Sequence, residues 1–149
     1  MPSTYDPLLR LELQGVGENA TTWGVKTNSN IELIAAAVAG SANINLAGSG
    51  DYTLSTANAP TTDEARCAIL ILTGTLTGNR NVIMPTAPKN YIFVRNTSGA
   101  FNITVKQAAG TGTVLPASGP AFIINTSTTS IDLMAGLLDN YGIRITETT

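Results

Sequence analysis

From residue 41 to residue 146 the chain never keeps one pattern for long. Short runs rich in Val, Ile, Thr, Tyr and Phe alternate with turn clusters made of Gly, Asn, Ser and Thr. The runs fall at 42–46, 51–54, 67–72, 81–84, 91–95, 102–106, 113–115, 122–125, 130–133 and 142–146. The breaks between them include Gly48-Ser49-Gly50, Thr77-Gly78-Asn79, Thr97-Ser98-Gly99 and Ser118-Gly119-Pro120. β-Branched and aromatic side chains suit a pleated, half-buried surface, and Gly and Asn supply the backbone freedom of tight turns. Many short strands at near-regular spacing predict a mostly β protein, an antiparallel β-sandwich or jelly-roll-like domain. The stretch 101–106 alternates cleanly, so one of its faces is expected to be polar. Ile69-Leu70-Ile71-Leu72 is apolar throughout and is expected to be covered on both faces.

One short N-terminal helix is expected before this region, at 28–39. Ser29 and Glu32 stand in capping-box spacing, Ile31, Ile34, Ala35 and Val38 form one stripe, and Gly40 stops it. The other side is mostly Ala with Leu33, so burial on more than one side is predicted. Upstream, Leu9, Leu11 and Leu13 alternate with Arg10 and Glu12 as in a strand over 8–13. The domain reading is an extended docking segment at 1–27 followed by a single β-rich domain at 28–149. In it, Leu9, Leu11, Leu13 and Trp23 are the docking or interface candidates, and removal of residues 1–14 is expected to leave the β core folded.

A chain of 149 residues buries about 70% of its unfolded surface as one domain. It has no His, one Cys and 12% charged residues, with 43% hydrophobic residues and a mean hydropathy of +0.15. That inventory is thin for acid–base, metal or nucleophilic chemistry, and polarity resides instead in hydroxyls and amides. The common zinc sites and Ser-His or Cys-His pairs are excluded by residue type. Asp63 and Glu64 are neighbours whose expected role is in a loop or at a helix start. Cys67, in an apolar run, reads as a buried small hydrophobe. Gly15-Val16-Gly17-Glu18-Asn19-Ala20 fits G-x-G-x-x-A, yet Thr21-Thr22-Trp23-Gly24 does not read as the helix a dinucleotide site needs, so a tight turn into Trp23 is expected and no cofactor. Net charge is −2 with no basic stripe, which argues against nucleic acid. So little charge on an apolar chain implies that another subunit covers part of its surface. The start shows no basic-then-apolar leader and no run long enough to span a bilayer, so synthesis in a cytoplasm is expected.

Three segments together resemble a module of tailed-bacteriophage structural proteins, tail-fibre-like ones above all. They are residues 11–30, which contain Gly15-Val16-Gly17 and Trp23; Asp63-Glu64-Ala65-Arg66 with residues 72–85; and residues 96–106. The resemblance covers about residues 5 to 116. It implies a virion structural role without catalytic residues, tail or capsid proteins as partners, and threefold self-assembly. Capsid decoration, or cement, is the alternative within that class. A carbohydrate-binding β-sandwich using Tyr52, Tyr91 or Tyr141 on host glycans is the alternative outside it.

Overall fold

The computed structural model describes residues 2–126 and 129–132. In chain order the elements are β1 (Thr4–Tyr5), β2 (Glu12–Leu13), α1 (Trp23–Ala39), β3 (Ser41–Asn45), β4 (Gly48–Thr53), a 3-10 turn (Glu64–Arg66), β5 (Ile69–Met84), β6 (Lys89–Ser98), β7 (Ile103–Gln107), β8 (Thr113–Val114), β9 (Gly119–Asn125) and β10 (Ser130–Asp132). The described residues are mostly β with one α-helix, as the patterning predicts. The run expected at 142–146 lies outside the described residues.

The sheet is mixed, which corrects the antiparallel expectation. β5 pairs in parallel with β3 and β6 along its first half, and in parallel with β4 and β7 along its second half. Antiparallel pairing is confined to the periphery, at β6–β9, β9–β10, β7–β8 and the separate β1–β2 ribbon. The chain therefore winds through three two-limbed rungs: β3 with β4, the two halves of β5, and β6 with β7. Inward positions stack from rung to rung. Ala42, Leu70, Phe93 and Ala121 form one row and Tyr52, Val82 and Val105 another. Leu70, Leu72, Val82, Phe93, Ile103 and Val105 are fully enclosed in one apolar core.

Chain length dictates that β5 must bend. Its 16 residues would reach about 50 Å if straight. From Met84 the chain has eight residues in which to bring Ile92 back beside Ile69, and eight residues span at most about 28 Å. The Thr77-Gly78-Asn79 cluster does not end the strand as its composition predicts. The strain falls at Gly74 (φ +102°), where a Cβ would sit 2.8 Å from the Ala47 amide nitrogen of the rung beneath. Gly99 (φ +94°) repeats the device one rung later, against the Leu76 carbonyl at 2.6 Å. The return link at 85–88 is held by Asn125, whose Nδ2 donates to Pro85 O (2.8 Å) and Ala87 O (3.0 Å). Asn125 Oδ1 accepts from the buried Gln107 amide.

Two local expectations upstream are corrected. The expected strand at 8–13 shrinks to Glu12–Leu13, because the Asp6 carboxylate accepts the backbone N–H groups of Leu8, Leu9 and Leu11 and curls the chain. Those bonds hold the Asp6 carboxyl below its ordinary value against the opposing pull of its burial. The helix begins at Trp23 rather than Asn28, so the boundary expected at 27/28 falls inside it. Asn19, in left-handed conformation (φ +59°), lends its carbonyl to the N–H groups of Thr22 and Trp23, and that turn starts the helix before any capping box is reached.

Candidate functional site

Arg66 fastens the N-terminal segment to the β body. Its guanidinium is 1% exposed and donates to Leu9 O (2.9 Å), Thr61 O (2.9 Å) and Ala57 O (2.6 Å). Asp63 lies 3.2 Å from it and also takes both oxygens to Arg10 Nη2, at 3.0 and 2.9 Å. Burial pulls Arg66 below its ordinary value, and Asp63 opposes that pull. The same Asp63 carboxylate accepts the Arg66 N–H and so caps the 3-10 turn, the helix-start role its sequence position predicts. Arg10 adopts φ +59°, and its carbonyl accepts the Ala59 N–H. Residues 9–10 are thus built into the fold. Removal of residues 1–14 would therefore take away the contacts that Leu9 and Arg10 make with the β body.

A second clamp holds α1. Lys26 Nζ lies 2.8 Å from Glu12 Oε2, and Asn30 brackets the β2 backbone, accepting from Glu12 N (3.0 Å) and donating to Glu12 O (2.8 Å). The Lys26 hydrogen bond, against burial, lowers the Glu12 carboxyl. Leu33 is the one fully buried side chain of the helix. The predicted stripe lies elsewhere: Ile31, Ile34 and Val38 are 57%, 42% and 75% exposed. The expectation of burial on several sides fails: Leu33 alone on the helix is buried, and Ile31, Ile34 and Val38 stay exposed. Of the docking candidates, Leu9 and Leu11 are half-buried, while Leu13 and Trp23 are exposed. Trp23 is not a core plug.

A cleft of about 500 Å³ opens between α1, β3 and the 3-10 turn, lined by Leu33, Gly40, Asn43, Ser55, Glu64 and Cys67. Its acid is spent on structure: Glu64 accepts Ser55 N–H (2.7 Å) and the Tyr52 hydroxyl (3.1 Å). Burial pushes the Cys67 thiol up, away from thiolate character. Behind the cleft, Lys89 Nζ donates to Cys67 O and sits 4.2 Å from the centre of the Tyr91 ring, and burial pulls its ammonium down to about 8. Tyr91 is enclosed, with its hydroxyl on Ala65 O (2.9 Å), and burial raises it strongly. It offers no face to a glycan. Tyr141 lies outside the described residues. Among the described residues no cluster of His, Cys, Asp or Glu is arranged to hold a metal ion.

The G-x-G-x-x-A stretch precedes α1 but not in a nucleotide-binding unit, since β2 is two residues long and, among the described residues, pairs only with β1. Among the described residues no helix is long and apolar enough to cross a membrane. Comparison with protein families, with curated proteins and with solved structures returns no match for this chain. Sequence reasoning found the apolar helix stripe but assigned it to the core. It missed the Arg10–Asp63–Arg66 cluster, in which Arg10 is 53 residues from Asp63 and the signal is charge in a chain that carries so little.

Proposed function

We propose that this chain is a non-enzymatic structural component of a tailed-phage particle, tail-fibre-like and located in the virion, that assembles as a homo-oligomer and docks on tail or capsid proteins. The observation that carries the reading is an asymmetry of surface. Nine of the eleven large apolar side chains exposed among the described residues lie between Tyr5 and Val38, ahead of a sealed β body. Exposed apolar side chains concentrated in one stretch of the chain support an interface there. The body behind it has the character of a rigid part: stacked rungs, cleft acids spent on backbone and hydroxyl groups, and a thiol raised by its burial. The three segments that resemble the phage module fall on β2 and the first part of α1, on the 3-10 turn and β5 from Leu72 onward, and from the end of β6 into β7.

The test is incorporation. Density-purified particles of the phage encoding the chain are expected to contain it at fixed stoichiometry. A few dozen copies mark a fibre and hundreds mark capsid cement. Absence from particles, with the chain free in the lysate, sinks the proposal.

A further inference from the structure

The two limbs of the rungs turn unlike faces outward. On the limb made by β4, the second half of β5 and β7, the outward rows are Asp51, Asn81 and Thr104, then Thr53, Ile83 and Lys106. Asn81 Nδ2 donates to Asp51 Oδ1 there (2.7 Å), as suits a face in water. On the limb made by β3, the first half of β5, β6 and β9, the outward rows are apolar. Ile69, Ile92 and Phe122 stand in register, Ile71 lies beside Val94, and Ile124 follows on β9. All six are half-buried, whereas their inward neighbours Leu70, Leu72, Phe93 and Ile123 are fully enclosed. Ile69 and Ile71 are thus the members of the apolar run 69–72 that still fall short of the cover its composition predicts.

The last described strand lies on the rim of this same limb. β10 sits beyond β9, and Asp132 pairs with Ile123, one residue short of the Phe122 row. The sequence continues Leu133-Met134-Ala135-Gly136-Leu137-Leu138, six uncharged residues of which four are large and apolar, before Asp139. β6 lies two strand spacings from β10 and β5 three, about 10 and 14 Å. Six residues reach about 20 Å, enough to cross Phe122, Ile92 and Ile69. The inward side of the limb is filled by the core, so a path across the sheet runs over the outer face. A segment tethered this closely competes at an effective concentration on the order of millimolar, far above that of a second copy in dilute solution. We propose that residues 133–138 form a strap across the outer face of this limb, with Leu133, Met134, Leu137 and Leu138 set on Ile69, Ile71, Ile92, Val94 and Phe122. A face covered in this way is closed to tail or capsid proteins, whose docking then falls to the N-terminal third.

The full chain with Cys67→Ser is the background for the test, and the rate at which a maleimide labels a single new cysteine is the readout. Val94→Cys reports on the apolar face and Lys106→Cys on the polar limb; Ile92→Cys replaces the first where it fails to fold. Leu137→Glu/Leu138→Glu, placed in the strap, is expected to speed labelling at Val94→Cys at least about tenfold and to leave the rate at Lys106→Cys unchanged. An unchanged rate at Val94→Cys overturns the strap. So does an equal rise at both reporters, because the whole body has then loosened. Protection at Val94→Cys that falls as the protein is diluted assigns the face to a second copy and overturns the strap as well.

Discussion

The β body and the N-terminal third use the same residue types to opposite ends. In the body, Ile44, Leu72, Ile103 and Ile123 are at most 1% exposed, locked between stacked rungs. In α1, Ile31 and Val38 face outward. The body closes on itself because each limb finds its partner in the next rung. The helix finds on its own chain only enough partners for one side. Side-chain type alone therefore does not separate core from contact surface. What separates them here is whether the backbone pairing has already supplied a neighbour.

The largest loss is expected at the buried clamp that joins the two regions. Arg66→Met leaves the partly exposed Arg10 as the one guanidinium on Asp63 and removes a side-chain donor from each of three carbonyls. It is expected to cost about 3–5 kcal/mol in denaturant unfolding. A loss below about 1 kcal/mol means that the N-terminal segment is not fastened as described. Leu72→Ala, in the heart of the body, is expected to cost about 2–5 kcal/mol, read from the same titration. Gly74→Ala must hold φ +102° and push against the Ala47 amide, and a loss of about 1–3 kcal/mol is expected.

The pH dependence is a smaller test of how tightly the body is sealed. Lys89 is pulled down to about 8, so between pH 8 and its unfolded value the unfolded chain binds more protons and stability rises with pH. The raised Cys67 thiol acts in the opposite sense, because the folded chain keeps its proton longer. In Cys67→Ser the melting temperature is expected to climb from pH 8 to pH 9.5, and Lys89→Met in that background is expected to flatten the climb. The raised Tyr91 reverses the trend above the ordinary tyrosine range. Smallest of all, Val38→Ser is expected to change monomer stability by less than about 0.5 kcal/mol, since it touches nothing in the body. A larger loss in dilute monomer places the stripe in a core after all.

Period-2 runs and Gly-rich breaks made the strands legible, and most of the expected runs coincide with strands. The direction of pairing was not legible. Short strands with turn clusters between them look the same whether the chain doubles back or winds round, and nothing at Thr77-Gly78-Asn79 says that the strand continues while Gly74 bends. The three rungs share too little sequence to show as a repeat, because what recurs is burial parity and a corner glycine. At the candidate interface the stripe was visible, but its exposure depends on clamps from Glu12 and Leu33 that only the fold brings into place. In the Arg10–Asp63–Arg66 cluster the Asp63–Arg66 pair is local, but Arg10 lies 53 residues from Asp63 and nothing in the sequence announces that it joins them.

The winding path also sets the order of events when the chain is made. β5 meets its parallel partners across sequence gaps of 28 residues to β3 (Ser41 to Ile69) and 23 residues to β6 and β7 (Ile69 to Ile92 and Arg80 to Ile103). No pair of rungs is a hairpin that zips locally, so each ladder waits on a long loop closure, and such topologies fold slowly. Until Gln107 has left the ribosome, the long central strand lacks a neighbour along the outer half of one edge. During that interval the nascent chain, not the finished body, is the form most exposed to wrong pairing.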